Sequence, residues 1–204
     1  IQLSAERLQA KLEGRLAPED AQTLNRATQT IVNQVAAMKH MVDDFSDYAR
    51  LPLPTLAALD LNHLVTEVLS LYEQSRAVIV ARLGDDLPLV LGDATQLRQV
   101  IHNLLQNAED ALAGRDEPRI EVRTERAGSA VRLCVLDNGA GFPEGVMKRV
   151  FEPYVTTKTK GTGLGLAIVK KIIDEHHGTV NIENRARQGE RGGAAVTIAL
   201  PLAA

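Results

Sequence analysis

The chain has 204 residues and 22.1 kDa, enough for one medium domain or two small ones around a sizeable apolar core. Its 23 Lys and Arg stand against 26 Asp and Glu, a net charge of -3 that argues against a general binder of nucleic acid or anionic membrane. Aromatics make up only 3% with no Trp, so platforms for stacking bases are scarce. The single cysteine, Cys134, excludes an internal disulfide framework and a Cys-only metal cage, and its L-C-V-L setting predicts inert packing in a buried strand. No apolar run approaches the roughly 20 residues that cross a bilayer, and no signal-peptide pattern opens the chain, so a soluble piece that is not membrane-inserted is expected. It begins at Ile1 inside a helical pattern, which predicts a longer parent protein.

From the N-terminus, Ile1, Ala5, Leu8 and Leu12 are spaced 4, 3, 4 before Gly14 and an A-P-E-D turn interrupt the pattern. Leu24, Thr28, Ile31, Val35, Met38, Val42, Phe45 and Ala49 resume it. That is the seam of a helical bundle, read as the tail of one helix, a reversal and a second long helix. Two narrow apolar stripes cannot cover each other fully, which predicts pairing with a second copy into a four-helix bundle through residues 1–50. The alternative is that the hairpin packs on the rest of its own chain. Pro52 and Pro54 cannot continue the helix, so the boundary of a first domain, residues 1–52, falls there.

Beyond it the periodicity changes. The pattern predicts a helix over 61–74, a strand over 78–82, an extended piece over 89–91 and a helix capped by Asp93 and running to about Ala113. Strands over 119–125 and 130–136 follow, then a Gly-punctuated loop, a helix over 163–177, and strands over 179–183 and 194–200. A mixed, largely antiparallel sheet under a helical layer fits this α+β order.

Three stretches carry chemistry. In N-L-L-Q-N-A-E-D-A, Asn103 and Asn107 lie four apart on one helix face, while Leu97, Ile101, Leu104, Leu105, Ala108 and Leu112 take the core side. Neutral amide oxygens suit a magnesium ion already balanced by phosphate, although two such residues are also ordinary on a helix surface. In V-L-D-N-G-A-G-F-P, Asp137 ends an apolar strand ahead of Gly139 and Gly141. A carboxylate there can accept from an exocyclic amine, and glycines admit a flat ring or a phosphate; a plain turn is the alternative. In K-G-T-G-L-G-L-A-I-V, Gly161, Gly163 and Gly165 lead into an apolar helix beside Lys158 and Lys160, an arrangement that offers bare N–H groups to an anion. It lacks the G-K-[ST] tail of a P-loop and the preceding strand of a Rossmann fingerprint.

In this order the stretches resemble the catalytic ATP-binding domain of sensor histidine kinases, with the Bergerat-type α/β sandwich shared by gyrase, a heat-shock chaperone and MutL. The resemblance spans roughly residues 60–201, giving a second domain over 60–204. The hairpin resembles the family's dimerisation and phosphotransfer domain, and I-Q-L-S-A-E-R-L is similar to nitrogen-regulation kinases of the NtrY type. N-L-L-Q-N-A matches the N box, D-N-G-A-G the first glycine box, F-E-P-Y-V-T-T-K the F box and lid, and G-T-G-L-G-L-A-I-V the second glycine box.

The resemblance implies the cofactors ATP and Mg2+. Asn107 would hold the magnesium with Asn103 beside it, Asp137 would accept the adenine amino group, and Gly139 and Gly141 would shape the adenine pocket. Gly163 and Gly165 would let lid and helix approach the phosphates. Thr157, Lys158, Lys160, Gly161 and Thr162 would border the nucleotide with Leu164 and Leu166, and Phe151 would anchor the lid. Two departures are visible. His176-His177-Gly178 stands where the family has H-G-G, and Gly193-Ala194-Ala195-Val196 where it often has G-T-T-F.

A larger departure concerns the phosphoacceptor, which the family carries in an H-E-x-x-N-P stretch. None of His40, His63, His102, His176 and His177 precedes an acidic residue. His40, on the second hairpin helix, reads as a solvated residue. The expectation is therefore a homodimeric histidine kinase core whose acceptor lies before Ile1, so that this chain alone cannot autophosphorylate. Its partner would be the receiver domain of a response regulator, and its setting the cytoplasmic side of a protein anchored in the bacterial inner membrane. An ATP-hydrolysing relative is one alternative, disfavoured because Asn103 stands where those enzymes carry a water-activating Glu. A nucleotide-binding module without chemistry is the other.

Overall fold

Ala17 takes an extended conformation and Pro18 opens a helix, with Glu19 and Asp20 in its first turn against the positive end of the dipole. In the computed structural model, which describes residues 1–12, 14–158, 161–187 and 190–203, this helix, α2 (Pro18–Arg50), follows α1 (Gln2–Leu12). The two belong to one compact unit, made of Ile1–Leu51 and Lys158–Thr162. Ala5 of α1 and Thr28 of α2 are buried, and the Thr28 hydroxyl lies 3.3 Å from Gln9 Oε1. Part of the expected seam remains open, since Leu8, Ile31, Met38 and Val42 are 43–66% exposed, while the Phe45 and Ala49 side chains lie outside the described residues. Among the described residues no helix is long and apolar enough to cross a membrane.

The second unit is built on Pro52–Thr157 and Gly163–Ala204. Its chain runs β1 (Ala57–Leu59), α3 (Leu61–Ser70), β2 (Val78–Arg82), β3 (Val90–Gly92), α4 (Ala94–Ala111), β4 (Arg119–Ala127), β5 (Ala130–Asp137), the short α5 (Glu144–Met147), α6 (Gly165–Glu175), β6 (Thr179–Arg187) and β7 (Glu190–Pro201). Five strands form one sheet in the order β2-β4-β5-β7-β6, in which only β2–β4 is parallel. Alternation is clean: Ile120, Val122, Val131, Leu133, Ile198 and Leu200 are buried on one face, where Leu104 and Leu105 of α4 and Ile172 of α6 meet them as a dry core. Each such side chain contributes about 1.5–3 kcal/mol by leaving water.

Several boundaries differ from the sequence reading. β1 was not expected; it pairs antiparallel with β3 as a separate two-stranded sheet. Helix α3 stops at Ser70 rather than 74. Helix α6 starts at Gly165 because Gly163 has φ +71, which a right-handed helix does not allow. It ends before His177, which adopts φ +55; the left-handed position usually given to glycine is filled here by a histidine. The hairpin of β6 and β7 also extends further than predicted. Cys134 is not sandwiched between the layers: Val131, Leu133, Val135 and Asp137 of β5 are buried on the face toward the helices, and period-2 alternation puts Cys134 on the other face with exposed Arg132 and buried Leu136, where it is only half-buried. There it lies in register between Arg123 and Thr197, accepting from the Thr197 hydroxyl at 3.3 Å. Burial nevertheless pushes its thiol above the ordinary cysteine value, which keeps it protonated.

Asp93 is the cap the sequence anticipated, and it does more than cap. Oδ1 accepts the N–H groups of Thr95 and Gln96 at 2.9 and 3.2 Å, and Oδ2 that of Thr55 at 2.9 Å. Burial alone would raise this carboxyl; the three backbone donors outweigh it and hold it below the ordinary aspartate value. The Asp93 N–H donates to Nε2 of His176 at 2.9 Å, and Nδ1 of His176 lies 2.7 Å from the Ile172 carbonyl. Both bonds require the neutral Nδ1–H tautomer, and His176 is 0% exposed, so it ties the end of α6 to the start of α4. Asp93→Ala should destabilise the protein by about 1–2 kcal/mol at neutral pH. Because the folded carboxyl titrates low, its stabilisation is present above about pH 4 and lost as pH falls through the folded value; the gap between variant and parent in urea melts should close in acid.

Candidate functional site

Helix α4 buries Leu97, Ile101, Leu104, Leu105 and Ala108, which leaves Asn103 and Asn107 half-buried on a neighbouring face, turned toward the first residue of α6. Asn103 Nδ2 lies 3.4 Å from the Gly165 carbonyl oxygen, and a Cβ on Gly165 would stand 3.6 Å from Asn107 Nδ2. The two amides and the glycine-led helix start therefore share one place. Leu164, fully buried, seats the first turn through its carbonyl, which accepts from Ile168 at 2.8 Å. Upstream, Tyr154 at φ +66 donates its N–H to the Gly163 carbonyl at 3.1 Å, and a Cβ on Gly163 would come within 2.7 Å of the Tyr154 backbone.

One turn beyond Asn107, the carbonyl of Ala111 receives the Ala140 N–H at 3.3 Å, and a Cβ on Gly139 would lie 2.4 Å from that oxygen. The loop after β5 is thus pressed onto the end of α4. At its head sits Asp137, 6% exposed, whose Oδ1 accepts from Gly139 N at 2.7 Å and Ala194 N at 3.3 Å. Burial pushes this carboxyl above the ordinary aspartate range, opposed by those two N–H groups and by the charges of Arg185 and Arg115. Arg115 Nη2 donates to the Gly139 carbonyl at 3.0 Å, and Arg185 Nη1 to the Asp137 carbonyl at 3.4 Å. Gly141 adopts φ +69.

The structure brings Asn103, Asn107, Gly165 and Leu164 together, and Asp137, Gly139 and Gly141 beside the end of the same helix. Leu166 and Phe151 are half-buried, whereas Thr157 and Lys158 are exposed. The Gly161 N–H reaches the Lys158 carbonyl at 3.5 Å, and Thr162 is half-buried. Lys160 lies outside the described residues. Among the histidines, His102 sits 2.6 Å from the Tyr72 hydroxyl through Nδ1, turned away from the two asparagines, and His63 is exposed beside Glu67.

Sequence reasoning missed Asn184. Its Oδ1 accepts the Phe142 N–H at 2.8 Å and its Nδ2 donates to the Phe142 carbonyl at 2.7 Å. It missed Arg115, Arg185 and the buried His176 as well. Their partners are far away in sequence, and only the rising need for donors around a buried carboxylate hinted at the arginines. Gly193, noted only as part of a departure, has φ +82, and a Cβ there would fall 2.0 Å from the Asp137 carbonyl oxygen. Gly193→Ala should therefore cost far more than Gly128→Ala, which shares a positive φ with nothing within 4 Å. Thermal melts should show about 1 kcal/mol for the Gly128 variant and several-fold more for the Gly193 variant.

Residues 92–204 match the family described as histidine kinase-, DNA gyrase B-, and HSP90-like ATPase. The nitrogen regulation protein NtrY of Azorhizobium caulinodans is 36% identical over 206 residues, covering 97% of this chain and 26% of that protein. The chain spans between a quarter and a third of the length of such curated relatives. Among solved structures, the catalytic domain of histidine kinase ThkA superposes with a TM-score of 0.64 at 34% identity, covering 72% of this chain and 95% of that one. ThkA in complex with the response regulator protein TrrA superposes with a TM-score of 0.72 at 25% identity, over 98% of this chain and 57% of that one. The chain belongs to the histidine kinase-, DNA gyrase B- and HSP90-like ATPase family, as a relative of proteins such as NtrY and the putative sensor histidine kinase NtrY-like of Rickettsia felis.

Proposed function

We propose that the chain is the kinase core of a two-component sensor, binding Mg-ATP over residues 60–204 and passing the γ-phosphoryl group to a histidine and then to a response-regulator aspartate. The observation that carries the reading is the meeting of Asn103 and Asn107 with the glycine-led start of α6, one turn from the loop headed by Asp137. Both bonds to the Asp137 carboxylate fall on Oδ1, which leaves Oδ2 to accept an adenine amino group. Gly139 and Gly141 shape the space for the ring, and the N–H groups that follow Gly163 face the phosphates.

The residues present fit a magnesium ion delivered with nucleotide. Among the described residues no group of three or more His, Cys, Asp or Glu side chains is placed to hold a metal, and a neutral amide suits an ion whose remaining ligands are phosphate and water. Asn107 would hold it, with Asn103 orienting the start of α6. When bound, magnesium neutralises phosphate charge. Thr157 and Leu166 would border the phosphates, with Phe151 anchoring the segment that leads to Thr157.

Residues 1–52 act in this reading as the dimerisation and phosphotransfer hairpin. The exposed Ile31, Met38 and Val42 supply a stripe for a second copy. A receiver domain is the matching partner, as ThkA with TrrA illustrates. The core works on the cytoplasmic face of a membrane-anchored parent. Neither described residue nearest that role supplies a base: Asn103 carries no carboxylate, and His102 is engaged with Tyr72.

Two experiments test the proposal. In calorimetry, Asp137→Ala and Asn107→Ala should each weaken Mg-ATP by about tenfold or more, and only the Asn107 variant should lose the magnesium dependence; binding equal to the parent in both sinks the site. Incubation with radiolabelled ATP followed by acid should leave the present chain without acid-labile label, since none of its five histidines lies in an acceptor motif. A longer chain carrying that motif should label, and replacing His40 there should leave labelling intact. Labelling at His40, or brisk ATP turnover, overturns the assignment.

A further inference from the structure

Consecutive residues of a regular strand point to opposite faces. Yet Asn184 and Arg185 of β6 both reach the one segment that runs from Asp137 to Phe142. Asn184 bonds both backbone groups of Phe142, and Arg185 donates to the carbonyl of Asp137. The pairing of β6 with β7 is irregular at this place: Asn184 pairs with Ala194 and Ala186 with Arg191, so β7 carries one residue more than β6 between the two pairs, and a bulge increases the local twist. Gly193 of the intervening strand has no side chain to block the crossing, and none would fit, since its Cβ would strike Asp137. Gly141 is similarly bare against Asn184, whose Oδ1 stands 2.8 Å from where a Cβ would be. A cavity of about 520 Å3 opens here, lined by Gly141, Phe142, Glu144, Asn184, Arg185 and Gly193 among others.

We propose that Asn184 and Arg185 are positioning residues that set nucleobase specificity: by gripping the loop from both ends they fix the direction in which Asp137 presents its second carboxylate oxygen. This rests on the reading of Asp137 as the adenine acceptor. An ionised carboxylate accepts only; adenine offers it the N6 amino donor, whereas hypoxanthine offers the O6 acceptor at the same place. Discrimination then depends on Oδ2 being held, not merely present. Oδ1 takes its two bonds from Gly139 and Ala194, and Gly139 belongs to the gripped loop. Slackening the loop lets the carboxylate turn away from the amino group, and adenine loses what hypoxanthine never had. Neither residue touches the base in this scheme.

The test is the ratio of ATP to ITP affinity, measured by calorimetry with magnesium on the 204-residue chain, its Asn184→Ala and Arg185→Gln variants, with melting temperatures alongside. The parent should prefer ATP by about tenfold or more. Asn184→Ala should bring the ratio within about threefold of unity by weakening ATP while leaving ITP near its parent value, and Arg185→Gln should move it the same way by a smaller step. A lower melting temperature with an unchanged ratio in both variants means that the two residues serve only folding, and overturns the inference while leaving adenine recognition standing. If Asn184→Ala does not fold, the exposed Arg185 decides the matter alone. A parent that binds ATP and ITP equally removes the adenine reading and the inference together.

Discussion

The carbonyl of Ala111, at the last residue of α4, accepts the N–H of Ala140 and leaves no room for a Cβ on Gly139, so helix and loop meet backbone to backbone. That contact fixes where the chain can go after β5. The same helix is held at its other end by Asp93 and His176, and in its middle Asn103 reaches Gly165. α6 is thus registered on α4 at both ends, antiparallel, and the glycine loop is registered on the end of α4. A shift of α4 along its axis would disturb all three at once. The candidate site is in this sense a set of distances measured from one helix.

Electrostatics within that frame is a contest around one carboxylate. Asp137 is buried enough for its charge to be disfavoured, and the fold answers with two backbone donors and two guanidiniums that bond to nearby carbonyls instead of to the carboxylate itself. Placing the charges one bond away supports ionisation and keeps Oδ2 available. Asp93 shows the opposite solution: three N–H groups saturate it, its carboxyl is pulled low, and it serves structure alone.

What was legible in the sequence was what local chemistry dictates. Asp93 before a periodic apolar run reads as a cap, Asn103 and Asn107 four apart read as one face, and Gly139 and Gly141 after an apolar strand read as a place of close approach. What was not legible depended on partners far along the chain. β1 is three residues long and exists because β3 is there to pair with it. Cys134 looked like core because its neighbours are apolar, but alternation turned it to the other face of the sheet. His176 and His177 differ from each other only by position, and one became a fully buried tie between helices while the other took a backbone conformation suited to glycine. The clamp by Asn184 joins residues 42 positions apart, a partnership that no pattern in I-E-N-R announces.

The pairing of β5 with β7 has a kinetic side. Leu136 lies opposite Ala195 and Ala130 opposite Pro201, so these strands join residues roughly sixty or more positions apart, and everything from the glycine loop through α6 and β6 is the excursion between them. Closing such a loop is entropically slow, and contacts of this range reward the chain only after the closure is made. The donor from Ala194 to Asp137, and the seat of Gly193 against it, exist only once that closure is complete. A growing chain therefore carries α4 with its two asparagines well before the surroundings of the Asp137 carboxylate are complete, and those surroundings wait for the last strand to dock.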